Sequence, residues 1–205
     1  MAKKTVYLIR HGRTKGNAEK RFIGNRTDEM LSDAGVEQAE SLRKNEGAWT
    51  CDLPDRICAS PMKRALQTGA ILYDTIDIQT IDELREMDFG FFEGKNHREL
   101  DGDPGYQAWI DGGGKGMIPG GEDFDAFCER SFAGFQKALG DPLREETVSV
   151  ICHGGTIMAV MSKLTGKDFY DFLTENLGGY YMELECGDAG MDLISYDSLP
   201  TWDRP

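Results

Sequence analysis

The sequence predicts an α/β fold, a three-layer α/β/α sandwich whose central sheet is mostly parallel and has an antiparallel C-terminal part. Two observations carry this prediction. Short apolar runs typical of buried strands alternate with segments of helical periodicity as far as Leu164. Two further strand-like runs, 180–186 and 191–196, flank a Gly-Asp-Ala-Gly turn, which is typical of an antiparallel hairpin. Residues 1–205 are expected to form one domain, because single cores keep growing up to about 250 residues.

The predicted elements follow one another along the chain as strand and helix. Residues 6–9 form a buried strand, and Ser32 is a candidate N-cap for a helix with an apolar stripe at Val36, Ala39 and Leu42. A second strand covers 56–60, and Ser60 is expected to cap the next helix with Pro61 in its first turn. A third strand at 76–81, a long helix at 122–139, a strand at 147–152 and a helix at 156–164 complete the series.

The segment from about 95 to 121 is the least regular part of the chain. Glycines at 112–114 and 120–121 bracket too little apolar pattern for a packed element. Long segments without regular structure are often functional loops. The sequence therefore predicts a glycine-rich loop or lid here.

The composition restricts the classes of partner. A net charge of −13 argues against nucleic acid and against an anionic membrane surface, because both require a basic protein surface. No apolar run approaches the roughly 20 residues of a membrane-spanning helix. Met-Ala-Lys-Lys leads directly into the first strand, so no signal peptide and a cytoplasmic location are expected. The five cysteines are an odd number without a Cys-x-x-Cys pair, and are expected to be free thiols.

The first loop is basic although the protein as a whole is acidic. Between Arg10 and Arg26 there are six basic residues and one acidic residue. This local excess suits a small anionic substrate, while a solvated loop face remains an alternative for Lys15 and Lys20.

Side chains suited to phosphate chemistry follow three of the predicted strands. Arg10-His11-Gly12 ends the first strand, Arg64 lies in the first turn after the second, and His153-Gly154 ends the strand at 147–152. Because the carboxyl ends of parallel strands share one edge of a sheet, these groups are expected to converge. Arginine offers a rigid fork of donors for phosphate, and histidine is a nucleophile or proton carrier near neutral pH. Glu86, on a loop between them, could reach the same place.

Less specific interpretations remain for the individual residues. Arg10-His11-Gly12 could be a charged loop at a strand end, and His153 could cap Gly154-Gly155. A zinc site is disfavoured, because no His-x-His or His-Glu-x-x-His spacing occurs. Three other polar residues are expected to be surface or loop groups rather than catalysts: His97, Asp88 and Glu93.

Taken together, the motifs resemble the histidine phosphatase superfamily, the phosphoglycerate-mutase-like proteins. Six stretches occur in the order typical of that family: 8–17, 21–24, 60–68, 83–94, 119–122 and 150–155. Six motifs in order are far more specific than one. The segment from 21 to 35 is most similar to bacterial α-ribazole phosphatases and broad-specificity phosphatases.

The resemblance implies a role for each matching residue. His11 would accept the phosphoryl group as a phosphohistidine, Glu86 would protonate the leaving alcohol, and no metal or cofactor would be required. The phosphate oxygens would be clamped by Arg10, Arg64 and His153. The full set implied to bind phosphate or substrate is Arg10, Asn17, Ile23, Gly24, Arg64, His153 and Gly154.

Three functions are compatible with this pattern. The first is metal-independent hydrolysis of a small phosphorylated metabolite, with α-ribazole phosphate as one candidate. The second is a cofactor-dependent phosphoglycerate mutase, although the basic residues of 95–121 are limited to Lys95, Arg98 and Lys115 where mutases carry a longer basic insertion. The third is an inactive module that binds a phosphorylated ligand. Cys152 and Phe92 depart from the common Ser and Trp of the family, and the oligomeric state is left open.

Overall fold

In a computed structural model of the chain, a six-stranded sheet runs through the described residues, which are 1–44, 53–188 and 190–199. The strands lie in the order β3-β2-β4-β1-β5-β6. The first four are mutually parallel, whereas β5 is antiparallel to β1 and β6 is antiparallel to β5. The strands are β1 (Ala2–Arg10), β2 (Arg56–Ala59), β3 (Gln79–Thr80), β4 (Glu146–Cys152), β5 (Gly179–Gly187) and β6 (Gly190–Ser198). The predicted mixed sheet is confirmed.

Helices cover both faces of the sheet. The α-helices are α1 (Lys15–Ala18), α2 (Asp33–Lys44), α3 (Lys63–Tyr73), α4 (Pro104–Asp111), α5 (Phe124–Ala138) and α6 (Gly154–Thr165). Short 3-10 helices occur at Asp82–Leu84, Gly90–Phe92 and Phe169–Phe172. Helices α2 and α3 share one hydrophobic cluster with the sheet, and α5 and α6 share the other. The three-layer architecture follows from these two clusters.

The central strands are apolar on both sides because both sides are covered. Val6 and Leu8 face the cluster of α5 and α6, whereas Ile9 faces that of α2 and α3. On β4, Val150 faces the cluster of α5 and α6, and Ile151 faces that of α2 and α3. Such continuous apolar runs are typical of parallel strands buried between two layers of helices.

The starts of the two helices on one face differ from each other. Gly35 N donates to Ser32 Oγ at 3.1 Å, so the predicted N-cap of α2 is confirmed. The predicted cap of α3 is wrong, because that helix begins at Lys63 with Met62 in the cap position and no side-chain cap. Ser60 lies two residues further back, and its Oγ is 2.8 Å from His153 Nε2. Its hydroxyl therefore contacts the histidine, and it also accepts from Met62 N at 3.4 Å, which lies before the first residue of the helix.

The predicted third strand is much shorter than residues 76–81. Strand β3 contains Gln79 and Thr80 alone, which pair with Cys58 and Ala59 at the end of β2. Because β2 is itself four residues long, it offers few partners to a strand at the sheet edge. Ile76 is 96% exposed and takes no part in the sheet.

The expectation that 95–121 contains no packed element is wrong, because α4 lies within it. Asp103 Oδ1 accepts from Tyr106 N at 2.9 Å, and Pro104 occupies the first turn. Tyr106 and Trp109 are three residues apart and so share a helix face. Their rings lie 5.4 and 5.6 Å from that of Phe92, between centroids. Contacts of these two aromatic rings therefore dock α4 on the rest of the protein.

Two expectations stay predictions: that residues 95–121 move as a lid, and that residues 1–205 form a single domain.

Four of the five cysteines lie in the part of the chain that the structure describes. Cys58, Cys128, Cys152 and Cys186 are free and buried, whereas Cys51 lies outside the described residues. Burial raises the pKa of the Cys58 and Cys128 thiols to about 11. Within 1–44, 53–188 and 190–199, no helix has both the length and the apolar character to cross a membrane.

A buried ion pair joins the start of β1 to the start of β4. Lys4 Nζ lies 3.1 Å from Glu146 Oε2 and also donates to the Arg144 carbonyl at 2.8 Å. The Lys4 and Glu146 residues are 1% and 6% exposed. Arg144 Nε lies 3.2 Å from the other carboxylate oxygen, so Glu146 has a second cation nearby.

We expect Lys4→Met to lower the free energy of unfolding by about 3 kcal/mol, because it leaves the buried Glu146 carboxylate with weaker compensation. Urea denaturation measures the change. Lys3→Met is the matched control, since Lys3 is exposed on the same strand and its substitution should change the value by less than about 0.5 kcal/mol. Equal unfolding free energies for the two variants would contradict this role of the pair.

Candidate active site

The pairing of β1 with β4 brings the two predicted histidines together. Arg10 is the partner of Cys152 in this parallel register, and His11 N donates to the Cys152 carbonyl at 3.0 Å. His11 and His153 are therefore the next residues after this paired end of β1 and β4. Their ring centroids lie 5.2 Å apart, and the ring planes make an angle of 63°. They are 4% and 0% exposed. The expected convergence of these strand ends is present in the structure.

His11 is neutral, and its Nε2 has no hydrogen-bond partner within the described ranges. Its Nδ1 lies 2.7 Å from the Gly12 carbonyl, and a carbonyl oxygen only accepts, so Nδ1 carries the proton. Burial and the charges of Arg64 and Arg10 lower the pKa of His11 well below its ordinary value. The neutral ring therefore keeps its lone pair on Nε2, the form that a nucleophilic imidazole requires.

His153 adopts the opposite tautomer. Arg64 Nε donates to His153 Nδ1 at 3.2 Å, so the ring proton is on Nε2, which donates to Ser60 Oγ at 2.8 Å. Burial, then the charges of Arg64 and His11, lower the pKa of His153 well below its ordinary value. Both nitrogens of this ring have protein partners, whereas His11 has one at Nδ1 alone among the residues that the structure describes.

Arg64 is fully buried in the first turn of α3. Besides the bond to His153, its guanidinium donates to the Thr27 carbonyl at 2.9 Å and to the Gly24 carbonyl at 3.0 Å. Burial lowers its pKa. A guanidinium has five N–H groups, so these three bonds leave two donors for a ligand.

Arg10 approaches the start of α6. Its Nη1 donates to the Thr174 carbonyl at 2.5 Å, while its buried Nε has no hydrogen-bond partner among the described residues. A Cβ at Gly154, the first residue of α6, would lie 3.5 Å from the guanidinium carbon of Arg10. The N-terminus of a helix favours negative charge. Together with the two arginines, it makes this edge of the sheet suitable for an anion.

Glu86 lies at the same helix start. Its Oε1 accepts from Met87 N at 2.9 Å, and its Oε2 accepts from Gly155 N at 3.0 Å. Burial raises the pKa of Glu86, and this effect outweighs the two backbone hydrogen bonds and the charges of Arg64 and Arg10, which lower it. A Cβ at Gly155 would lie 2.3 Å from Glu86 Oε1, so the approach requires a glycine there.

The remaining predicted binding residues lie in the first loop. Asn17 Oδ1 accepts from Thr14 N at 3.1 Å within the capping box of α1. Gly24 N donates to Glu93 Oε1 at 2.9 Å, and the Gly24 carbonyl accepts from Arg64. Ile23 packs where a Cβ of Gly16 would lie. Gly24 thus holds Arg64 in place, and Ile23 shapes the loop beside α1.

Sequence reasoning missed two residues that position this site. Asn176 Nδ2 donates to the His11 carbonyl at 2.9 Å and to Asn17 Oδ1 at 3.1 Å. Thr68 Oγ1 accepts from Gly12 N at 2.9 Å. Thr68 could have been found, because it lies one helical turn after Arg64. Asn176 lies in an irregular segment before β5, and nothing in its local pattern indicates this contact.

Two cavities adjoin the charged centre. The basic cleft has a volume of about 460 Å³ and is lined by Arg10, Arg13, Asn17, Lys20, Arg21, Phe22, Gln38, Glu175 and Asn176. The apolar cavity has a volume of about 180 Å³ and reaches Glu86 and Gly155. In the described ranges, no three His, Cys, Asp or Glu side chains are grouped so that they could hold a metal ion.

Comparison with known proteins identifies relatives along most of the chain. The model of the histidine phosphatase superfamily (branch 1) matches residues 6–191. The adenosylcobalamin/alpha-ribazole phosphatase of Escherichia coli (strain K12) is 29% identical over 165 residues, which are 78% of this chain and 79% of that protein. A metal-independent phosphoserine phosphatase of Arabidopsis thaliana is 28% identical over 166 residues, covering 78% of this chain and 68% of the relative.

A solved structure agrees with these sequence matches. The crystal structure of phosphoglycerate mutase from Thermus thermophilus has a TM-score of 0.67 and 28% sequence identity, covering 96% of this chain and 99% of that one. The family expected from the sequence is therefore confirmed, and so is its fold. The chain belongs to the histidine phosphatase superfamily and is a phosphatase-type enzyme of that family.

Proposed function

We propose that the protein is a phosphomonoester hydrolase that works through a phosphohistidine on His11. The observation that carries this proposal is the neutral His11 ring, with Nε2 unprotonated, beside the buried Arg64 and the half-buried Arg10. In the first step Nε2 attacks phosphorus and the bond to the ester oxygen breaks. In the second step water attacks the same phosphorus, and His11 leaves with its lone pair restored.

The two arginines would stabilise the charge on the transferred phosphoryl group. His153 would join them by exchanging the bond from its Nε2–H to Ser60 Oγ for one to a phosphate oxygen. Phosphoryl transfer depends mainly on positioning and on charge stabilisation at the equatorial oxygens. Arg64 has two N–H donors beyond its protein contacts, and Arg10 lies against the first residue of α6. Asn17 uses its side-chain oxygen within the protein, which directs its amide group to act as a neutral donor to the substrate.

Glu86 would supply and remove the protons. Its raised pKa favours the protonated form that the leaving alcohol needs, and the resulting carboxylate can then take a proton from the attacking water. The carboxyl group is fixed by two backbone N–H groups, so it acts from one position in both steps.

The proposal includes metal independence and a small phosphorylated metabolite as substrate. Two guanidiniums supply the positive charge that metal ions supply in other phosphotransfer enzymes. A relative named as a metal-independent phosphatase supports this part, and the E. coli relative makes α-ribazole phosphate one candidate substrate. A cytoplasmic location belongs to the same proposal.

A phosphoglycerate mutase is the second candidate, and the basic cleft is the observation that favours it. Arg13 and Lys20 line that cleft and could bind a second anionic group, although Arg21 is paired with Glu19 and Glu99. Interconversion of 3- and 2-phosphoglycerate with bisphosphate primer present, without net phosphate release, would favour the mutase. Release of inorganic phosphate would favour the hydrolase.

We expect His11→Ala to reduce hydrolysis of p-nitrophenyl phosphate by about 10⁴-fold or more and to abolish covalent labelling, because no neighbouring group replaces the nucleophile. Activity with EDTA present and acid-quenched mass spectrometry of the peptide carrying residue 11 are the measurements. His97→Ala, an exposed histidine, is the matched control and should keep both signals. Phosphate on His153 would exchange the roles of the two histidines, and ester binding without turnover by the unaltered protein would favour the inactive binding module.

We expect Glu86→Gln to slow alkyl phosphates by about 10²- to 10⁴-fold, because their alkoxides need a proton to leave. Hydrolysis of p-nitrophenyl phosphate should slow by less than about tenfold, since its phenolate leaves with little help. Steady-state kinetics on both esters measure the ratio. Asp88→Asn, on the same loop, is the control. An equal loss for both esters would remove Glu86 from the role of acid.

The pH profile should follow the direction of the pKa shifts. Below the raised pKa of Glu86 the acid is protonated, so hydrolysis of an alkyl phosphate should fall by about tenfold per unit as the pH rises above that pKa. The lowered pKa of His11 keeps the nucleophile neutral on the acid side. Comparing the same ester in unaltered protein and Glu86→Gln isolates the effect. A decline of the same steepness in the variant would contradict the assignment.

A further inference from the structure

The apolar cavity differs in chemistry from the rest of the site. Nine of its twelve lining residues are aromatic or methionine: Phe22, Met87, Phe89, Trp109, Phe124, Phe127, Met158, Phe169 and Tyr170. Two others are Gly114 and Gly155, and the twelfth is Glu86. Among the residues that the structure describes, no lysine or arginine lines it. Lys115, next to Gly114 in the chain, pairs instead with Asp168 at 2.5 Å.

The walls of this cavity are built by packed rings rather than by mobile side chains. Phe22 lies 5.3 Å from Phe89 and 5.8 Å from Trp109, between ring centroids. Phe124 lies 4.9 Å from Phe169 in an edge-to-face arrangement. A volume of about 180 Å³ is enough for one ring or a short alkyl chain, because apolar cavities of about 150 Å³ bind benzene.

The reaction geometry connects this cavity to the substrate. In-line displacement places the leaving oxygen on the side of phosphorus opposite the attacking His11 nitrogen. The proton donor must lie within hydrogen-bond reach of that oxygen, so Glu86 marks where the alcohol begins. Glu86 and Gly155 line the apolar cavity and do not line the basic cleft. The path beyond the leaving oxygen therefore leads into the apolar cavity.

From this arrangement we infer that the cavity binds the alcohol portion of the ester, and that the preferred substrates carry an apolar ring or chain there rather than a second anionic group. The inference rests on the proposed hydrolase function. An anionic alcohol portion would be desolvated among aromatic rings, which is costly. Two cations lie against those rings, Lys115 on Tyr170 and Arg130 on Phe127, and both are already paired with carboxylates. An apolar alcohol portion gains from leaving water. Trp109 of α4 is the specificity residue contributed by the segment 95–121.

The test compares three esters with similar alkoxide leaving groups: methyl phosphate, butyl phosphate and a butyl phosphate whose chain ends in a carboxylate. With the unaltered protein, kcat/KM should rise by about fourfold per methylene at full burial, or about sixtyfold from methyl to butyl. The carboxylate ester should fall at least about tenfold below butyl phosphate. This series decides the inference without any substitution.

A pair of variants tests whether the alcohol portion of the ester binds in the apolar cavity beside Trp109. Trp109→Arg adds a cation to the cavity wall, so the kcat/KM ratio of the carboxylate ester to butyl phosphate should rise by about tenfold or more. This ratio does not depend on how much of the protein is folded. Ile110→Arg is the matched control, because it adds the same charge to the next residue of α4, which is 45% exposed and does not line the cavity. The control should leave the ratio unchanged.

The outcomes separate the inference from the function on which it rests. No turnover of any of the three esters would overturn the hydrolase proposal and the inference with it. Turnover with equal kcat/KM for methyl and butyl phosphate, or a preference for the carboxylate ester, would overturn the inference and leave the hydrolase standing. Equal effects of Trp109→Arg and Ile110→Arg would also overturn it, because the cavity wall would then have no special influence.

Discussion

The parallel pairing of β1 with β4 is the constraint on which the site depends. The bond from His11 N to the Cys152 carbonyl keeps the two strand ends level, so that each is followed by a histidine. After these residues the chain departs toward opposite faces, to α2 from β1 and to α6 from β4. Such a divergence opens a crevice at the carboxyl ends of the strands. The crevice then receives Arg64 from α3 and Glu86 from the loop before Gly90–Phe92.

The arginines of the site donate hydrogen bonds to backbone carbonyl oxygens. These neutral partners leave the positive charge of each guanidinium available to an anionic ligand. Arg64 donates to the carbonyls of Thr27 and Gly24, and Arg10 donates to that of Thr174. A carbonyl satisfies an N–H group without neutralising the guanidinium, whereas a carboxylate would compete with an anionic ligand. Burial lowers the pKa of both arginines, which reflects the cost of desolvating them. A bound phosphate would offset part of that cost, so the ligand and the site stabilise each other.

The sequence predicted the charged centre better than its surroundings, for physical reasons. Arg10, His11 and His153 lie at the ends of strands, and short apolar runs in the sequence predict where those strands end. The predicted cap of α3 was wrong because Ser60 is hydrogen-bonded to His153, 93 residues later in the chain. Local helix-capping preferences carry no information about such a distant contact. Helix α4 was missed because Tyr106 and Trp109 pack on the distant Phe92 rather than on a local apolar stripe. In both cases, the cap of α3 and the presence of α4, contacts between distant parts of the chain determine the local structure.

The two halves of the site are built from different parts of the fold, and under the proposed function this division separates chemistry from specificity. The groups proposed to bind phosphate come from the ends of the central strands and from the first turns of α3 and α6. The apolar cavity instead takes Trp109 and Gly114 from the segment 95–121, Phe124 from the start of α5, and Tyr170 from a 3-10 helix. If the cavity binds the alcohol portion as inferred, substitutions in these peripheral elements would change the alcohol that fits without moving His11 or Arg64. Relatives of this chain carry the names of different substrates and of two reactions, phosphatase and mutase, and such a division allows this variety.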